Sequence, residues 1–390
     1  MKILLLPFHF RNFFAEGTRV SGIDECMLKQ YRVLSKDNSV RVFLGYSDIK
    51  QQDFIVFSRE KENTKELLKK DKNKILDLLR KTITEFKPDV ILSNYGFNDS
   101  LYKFLDTFNT PVLYLSHSLP GAPADVFGAD KLDAFLSRGH SMGCVSEFHK
   151  MKTIEYYGRN RSTWTVQPNI PVHVVVPSSF AVKQPIIEGK SKLVRHISAC
   201  NEEKGTFIIH AMADGSDLVA EIFTTTKHVG GDKEQEYLEK NLSLYGNKPN
   251  LLINFDVPHV DIMQRIKDSS AFFVGKAQSD TFTITSIEAL QNGVPLMIYG
   301  DKEVHPASSF VEPDYRKYVR YFRTKKEFYD IVNDFSKMTI NDRSDLADSC
   351  VRTMGESMFR TRYTEALESV IEKYNSAPKD NPLESMFELS

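Results

Sequence analysis

Short apolar runs alternate with longer amphipathic stretches along most of the chain. The amphipathic stretches at 24–34 and 64–86 carry apolar residues at helical spacing, which predicts helices between the strands. Alternation of this kind is typical of a doubly wound parallel sheet, so we predict an α/β fold. The apolar runs that predict strands are 1–6, 40–44, 88–94, 111–117, 192–198, 218–223, 251–255, 270–274 and 294–298.

The length of the chain bears on how many domains it forms. A chain of 390 residues is too long for one compact core and suits two domains. Between the two groups of strands, a stretch with prolines, serines and no helical period predicts a linker. The predicted parts are an N-terminal domain (1–175), a linker (176–191), a C-terminal domain (192–355), a helix (356–374) and a mobile tail (375–390).

Composition and charge narrow the class of protein. The chain is 41% hydrophobic and 26% charged with a net charge of −1, which excludes a grossly basic nucleic-acid binder but leaves room for a local basic face. Its four cysteines form no CxxC pair, so we expect reduced thiols, no structural zinc and a cytoplasmic location. No apolar run approaches the roughly 18 residues of a membrane helix, so we expect no integral membrane association.

The most informative stretch is 279–298. It follows one predicted strand and leads into another, with a loop and a helix between them. Asp280 lies in the loop and Glu288, eight residues later, lies in the helix. Gly293 is placed to end that helix.

This stretch resembles the acid-x7-acid signature of retaining nucleotide-sugar glycosyltransferases of the GT-B fold. The usual ending, Glu-Ala-(apolar)-x-x-Gly-x-Pro, is matched by residues 288–295, although Asp280 stands where Glu is usual. A plainer interpretation is that many βαβ units carry a helical Glu and a Gly-x-Pro turn. The resemblance implies two Rossmann-like domains facing a cleft, with the helix 356–374 returning toward the first domain.

The loop after the strand 192–198 carries a second part of the resemblance. Family members hold the donor diphosphate with a Lys-Gly pair and an Arg five residues before the Lys. Here Lys204 and Gly205 match, but Ala199 stands at the Arg position. A second cation must therefore come from elsewhere, and the candidates are Arg195, Lys227 and Lys276. The bland alternative is that Lys204 is an ordinary surface lysine.

The resemblance also implies roles for the acidic stretch. Glu288 would accept hydrogen bonds from the donor ribose or sugar, and Asp280 from sugar hydroxyls. Thr281, Phe282 and Thr283 would line the start of the helix, whose backbone amides face the donor phosphates. We expect a UDP-sugar as co-substrate. The chain has no Asp-x-Asp, which argues against a metal clamp, so no obligatory metal or cofactor is predicted.

Two loops of the first domain are candidates for the acceptor side. Gly17, Thr18, Arg19 and Gly22 fall between the first strand and the first helix, at the edge of the sheet where ligands bind, although a simple turn would look the same. His117 follows the strand 111–117 and would orient the acceptor hydroxyl or help to take its proton. The plain alternative for His117 is a surface residue.

The identity of the acceptor is the harder question. The segments 114–118 and 204–207 give the chain its closest likeness to bacteriophage DNA glycosyltransferases, which implies 5-hydroxymethylpyrimidine in double-stranded DNA as acceptor. The stretch 315–326 interleaves aromatic residues with six cations, a composition that suits a nucleic-acid backbone. It is equally compatible with a late strand at 319–322 with charged flanks.

Two alternatives stay open. A transferase that builds a bacterial surface polysaccharide or a lipid-linked glycan would use a basic amphipathic helix for membrane docking, and the helix at 64–86 is basic enough for that. A sugar-nucleotide-binding or epimerase-like protein of the same fold is consistent with Ala199 at the Arg position. We expect a monomer or a weak dimer.

Overall fold

The computed structural model describes ten segments of the chain. They are 1–6, 22–46, 52–58, 72–94, 99–117, 129–159, 172–225, 232–277, 281–301 and 305–377. Several residues singled out from the sequence lie outside them, namely Gly17, Thr18, Arg19, Lys227 and Asp280, as does the tail from 378 on. The chain forms two compact units, one of Met1–Ser179 with Phe359–Ser390 and the other of Phe180–Met358.

The first unit is built on a seven-stranded sheet in which every pairing is parallel. Its strands are β1 (Lys2–Leu6), β2 (Ser39–Tyr46), β3 (Phe54–Ser58), β4 (Val90–Ser93), β5 (Val112–Leu115), β6 (Ser141–Cys144) and β7 (Val172–Val175). The helices are α1 (Gly22–Leu34), α2 (Lys72–Phe86), α3 (Asp99–Leu105), α4 (Ala129–Ser137), α5 (Glu147–Arg159) and, at the end of the chain, α12 (Glu356–Ser376). Leu4, Ile91 and Phe135 are fully buried in the core that α2 and α4 cover.

The second unit is built on a six-stranded sheet, again with parallel pairings throughout. Its strands are β8 (Leu193–Ile197), β9 (Val219–Thr224), β10 (Leu251–Phe255), β11 (Ala271–Lys276), β12 (Leu296–Tyr299) and β13 (Val319–Phe322). The helices are α6 (Ile208–Ala213), α7 (Asp232–Tyr245), α8 (His259–Ile266), α9 (Ile284–Leu290), α10 (Lys325–Phe335) and α11 (Ile340–Met354). Two 3₁₀ turns, Pro306–Ser309 and Pro313–Tyr318, precede β13.

The strand order positions the candidate residues. The strand orders are β3-β2-β1-β4-β5-β6-β7 and β10-β9-β8-β11-β12-β13. In each sheet the chain adds strands first on one side of the first strand (β1 or β8) and then on its other side, so the strand order reverses there. In such sheets ligands bind at the carboxyl ends of the strands, next to that reversal. The predicted doubly wound parallel sheets are confirmed in both units.

The predicted linker is held against the second unit. The backbone N–H of Lys190 donates to the carbonyl of Asp268 at 2.6 Å, and that of Val182 donates to Gln291 Oε1 at 2.9 Å. Ala181 also forms a bridge with Gly355. The first unit ends at Ser179, within the predicted linker, so the later residues of that segment are part of the second unit rather than a free spacer.

The helices depart from the sequence prediction at two places. Helix α1 begins at Gly22, which we assigned to the preceding loop. Helix α12 runs to Ser376, slightly beyond the predicted helix 356–374, and Gly355, in an extended conformation, separates it from α11. No helix in the described segments is long and apolar enough to cross a membrane.

Candidate functional site

The loop that follows β8 presents Lys204 at the carboxyl edge of the second sheet. The hydroxyl of Thr206, a fully buried residue, accepts from the backbone N–H of Asn201 at 3.1 Å and donates to the carbonyl of Ala199 at 2.8 Å. Gly205 has φ +72°, and a Cβ there would overlap Ile208, so the turn requires glycine. The sequence folds here into a fixed turn that holds the half-buried Lys204.

A second lysine lies beside this turn. Lys276 is the last residue of β11, and its Cγ is 3.2 Å from the position that a Cβ on Gly205 would take. It was one of three cations that the sequence offered in place of the missing Arg. The structure thus brings Lys276 next to the Lys204-Gly205 pair.

Arg195, another of those cations, serves the interior of the domain. Its Nε donates to Glu221 Oε2 at 2.5 Å and its Nη1 donates to Ser269 Oγ at 3.1 Å, with a further ion pair to Asp268. Its side chain is 7% exposed. Because two carboxylates already compensate its charge, this position argues against the donor-binding role predicted for Arg195.

Glu288 lies within α9, whose buried residues Ile287, Ala289 and Leu290 anchor the helix in the core. Its Oε1 is 3.0 Å from Nε2 of His259, and its side chain is 13% exposed. Its Oε2 is buried and has no hydrogen-bond partner among the described residues. A carboxylate in this state still has one oxygen with which to accept a hydrogen bond from a ligand.

His259 is a residue that the sequence analysis missed. It is the first residue of α8 and follows β10 closely, so it occupies the same kind of position past a strand end as His117. Its side chain is 64% exposed. That placement was readable from the sequence, and only the contact with Glu288 required the fold.

The ends of α9 are fixed by packing. Phe282 stacks at an angle on Phe310 with ring centroids 4.9 Å apart, and Thr283 is the N-cap residue, although its hydroxyl makes no capping bond. Gly293 closes the helix at φ +68°, as the sequence predicts, and a Cβ there would overlap the backbone of Arg343. Thr281 is half-buried just before this N-cap.

Arg343 supports α9 from α11. The residue is 1% exposed, and its guanidinium donates to the backbone carbonyls of Ser269 at 2.8 Å and Lys267 at 2.6 Å. A Cβ on Gly189 would overlap the same guanidinium. Arg343 therefore contacts three parts of the second unit. Its side chain contacts the turn before β11 and the segment 180–191, and its backbone contacts the end of α9.

In the first unit, His117 is held by a polar network at the edge of the sheet. Its Nε2 is 2.8 Å from Oδ1 of Asn94, which directly follows β4. Gln30 Nε2 donates to Asn94 Oδ1 at 3.1 Å and to Tyr363 Oη, whose own proton goes to the carbonyl of Pro177, so Asn94 Oδ1 is an acceptor. Nε2 of His117 must then carry the proton, and the lone pair is on Nδ1.

The surroundings of His117 keep it neutral. Burial, with a smaller contribution from nearby His149, lowers the pKa of His117 to about 3. Gln30 extends the network, since its Nε2 donates to Tyr363 Oη at 2.8 Å and Tyr363 in turn donates to the carbonyl of Pro177. Asn94 and Gln30 were also missed, although Asn94 is visible in the sequence as the residue after a strand.

The basic and aromatic stretch 315–326 is an edge strand with its flanks, as the simpler interpretation predicted. Val319–Phe322 forms β13 at the end of the second sheet, beside a hollow of about 550 Å³. Arg323 pairs with Asp301, and Arg320 Nη1 is 3.8 Å from Asp334 Oδ2. These acids offset part of the positive charge of the stretch.

No protein-family model matches the chain, and neither does any curated protein. Solved structures match over nearly the full length. HepE of Anabaena in complex with UDP is 16% identical with a TM-score of 0.63, over 95% of this chain and 100% of that chain. HepE has also been solved with UDP-glucose. Sucrose-phosphate synthase of Thermosynechococcus elongatus is 12% identical with a TM-score of 0.67, over 95% and 99%.

A glycosyltransferase from Rickettsia africae is 11% identical with a TM-score of 0.64, over 95% of this chain and 98% of that chain. At these identities the matches establish the fold and nothing more. The predicted fold class is confirmed: the two Rossmann-like domains match structures of GT-B glycosyltransferases.

Proposed function

We propose that this protein is a glycosyltransferase that moves a sugar from a UDP-sugar to an acceptor hydroxyl. The observation that carries the proposal is the state of Glu288. In a fold whose solved examples include complexes with UDP and UDP-glucose, this acid has one oxygen on His259 and one oxygen with no partner in the described residues. A hydroxyl of a nucleotide sugar is a natural donor to it.

The second unit also carries the positive charge that the reaction needs. Departure of the nucleoside diphosphate is the main barrier to sugar transfer, so cations fixed near its phosphates lower that barrier. Lys204 precedes Gly205 in a turn that the hydrogen bonds of Thr206 hold, and Lys276, at the end of β11, lies beside Gly205. Lys204 in this turn and Lys276 at the end of the neighbouring strand would replace the Arg and Lys pair of the family that the chain resembles.

The acceptor role is assigned to the first unit. His117 is neutral, with the lone pair on Nδ1, so it is suited to accept a hydrogen bond from an acceptor hydroxyl. In the proposed reaction the hydroxyl oxygen bonds to the anomeric carbon as the bond to UDP breaks, and the departing diphosphate takes up the hydroxyl proton. Retention of anomeric configuration is part of the proposal and rests on the acid-x7-acid resemblance.

For the acceptor we propose 5-hydroxymethylpyrimidine in DNA, on the likeness of the segments 114–118 and 204–207 to phage DNA glycosyltransferases. The stretch 315–326 adds little support, because Asp301 and Asp334 pair with two of its arginines. A glycan acceptor is the competing outcome of the test below.

The test is an assay of the purified protein with UDP-, ADP- and GDP-sugars against three acceptors: hydroxymethylated DNA, ordinary DNA, and a set of glycans and lipid-linked sugars. Products are weighed by mass spectrometry, and Glu288→Ala is the inactive control. Transfer from a UDP-sugar supports the function, and transfer to glycans alone removes the DNA acceptor. The absence of both sugar transfer and donor hydrolysis in every combination would overturn it.

A further inference from the structure

The contact between His259 and Glu288 joins two helices at the carboxyl edge of the second sheet. His259 begins α8 after β10, and Glu288 lies in α9 after β11. Nε2 of the histidine is 3.0 Å from Oε1 of the glutamate. The two residues are therefore neighbours in the fold although they belong to different βα units.

The carboxylate of Glu288 is used unequally. Its Oε1 meets His259, whereas Oε2 is enclosed without a hydrogen-bond partner in the segments that the structure describes. An enclosed carboxylate oxygen is costly unless something donates to it, and native structures rarely keep one without a purpose. The side chain as a whole is 13% exposed, so the carboxylate lies just below the surface of the second unit.

We propose that His259 is a positioning residue for the nucleotide-sugar site, which holds Glu288 by one oxygen so that the carboxylate is already oriented for a ribose or sugar hydroxyl. The inference rests on the proposed function. A lone glutamate would lose rotational freedom on binding, and a histidine that fixes its plane beforehand removes that loss. His259 contributes affinity through Glu288 and not through the fold.

The exposure of His259 separates this role from a structural one. Its side chain is 64% exposed, and a pair with so open a partner stabilises a fold little. We therefore expect His259→Ala to unfold within about a degree of the wild type.

The test is a double-mutant cycle on UDP binding, measured by isothermal titration with the full chain. We compare wild type, His259→Ala, Glu288→Ala and the double variant, with His259→Gln as the conservative variant. Val260→Ala is the matched control, because Val260 is the next residue of α8 and is 65% exposed. His259→Ala should weaken UDP binding by about tenfold in the wild-type background and hardly at all in the Glu288→Ala background.

His259→Gln should recover most of the affinity, because its amide N–H donates to the carboxylate. At saturating donor, His259→Ala should keep most of its turnover while its KM for the donor rises. Equal losses in both backgrounds, or unchanged affinity in His259→Ala, would overturn the positioning role while leaving the transferase function standing. A wild type that binds no UDP and transfers no sugar would remove both.

Discussion

Nε2 of His117 lies 2.8 Å from Oδ1 of Asn94, and the hydrogen bonds of Gln30 to Asn94 and to Tyr363 decide the direction of that hydrogen bond. The network assigns a tautomer to the histidine before any ligand arrives. The amide of Asn94, and not a carboxylate, therefore fixes the tautomer in which Nδ1 carries the lone pair.

Replacing Asn94 tests this arrangement. In Asn94→Ala the histidine loses the group that fixes its tautomer, and we expect kcat to fall about tenfold. Gln30 also loses a partner, which should cost about 1–3 kcal/mol of unfolding free energy. Asn241→Ala is the control, because Asn241 is also buried and its side-chain amide donates to the backbone carbonyl of Tyr237 within α7. An equal drop in kcat there would assign the loss to instability alone.

The pH dependence of activity follows from the lowered pKa of His117. With a pKa of about 3 in the folded protein, the residue stays neutral from pH 5 to pH 8, so kcat/KM should show no inflection from this group near its usual value of 6.5. In Asn94→Asp the new carboxylate favours the imidazolium and raises that pKa. Asn94→Asp should lose activity below neutral pH. A wild-type inflection near 6.5 that is absent in His117→Gln would contradict the assignment of a neutral His117.

Acid should destabilise both units through histidines that are buried and neutral. Burial lowers the pKa of His140 to about 3 and that of His210 to about 4, against 6.5 in the unfolded chain. The unfolded state therefore binds more protons below pH 6.5, and each histidine removes up to about 1.4 kcal/mol per pH unit as the pH falls from 6.5 toward those values. Urea denaturation at pH 7.5, 6.0 and 5.0 measures the slope, which His140→Gln should reduce.

Lys204 is predicted to act on the leaving group. Lys204→Ala should lower kcat/KM by about two to three orders of magnitude, since a fixed charge at the diphosphate is lost. The control is Lys337→Ala, because Lys337 is exposed and its ion pair is with Asp334, three residues earlier along the chain. Steady-state kinetics with a varied UDP-sugar distinguishes the two, and wild-type kinetics in Lys204→Ala would return Lys204 to the surface role that the sequence left open.

Arg195 is predicted to matter for stability and not for donor binding. Arg195→Ala leaves the buried Glu221 without its 2.5 Å partner, so we expect a loss of about 3 kcal/mol in urea denaturation. Arg195→Met combined with Glu221→Leu should restore most of it. UDP affinity of the folded fraction should stay at the wild-type value, and a tenfold loss in the double variant would restore Arg195 to the donor site.

The sequence was sufficient for most strands and for placing Glu288 in a helix after a strand, because buried strands and a βα turn have local signatures, but it did not predict β3, β6 and β7. It was not sufficient for the partners of those residues. Arg195 lies in the strand before the Lys204 loop, so the sequence made it a candidate to bind the donor diphosphate. In the structure it forms ion pairs with Glu221 and Asp268, which are distant along the chain. His259 and Asn94 gain meaning only from contacts that parallel pairing creates, and such pairings leave no local pattern.

The packing around Arg343 has a practical consequence for protein engineering. Arg343 contacts the end of α9, the turn before β11 and the segment 180–191. The helix that carries Glu288 therefore cannot be exchanged on its own between proteins. A chimera that imports residues 279–298 from another transferase must also import the matching part of α11 and keep glycine at 189 and 293. Exchange of the acid motif alone would place a foreign helix against an α11 to which it does not pack.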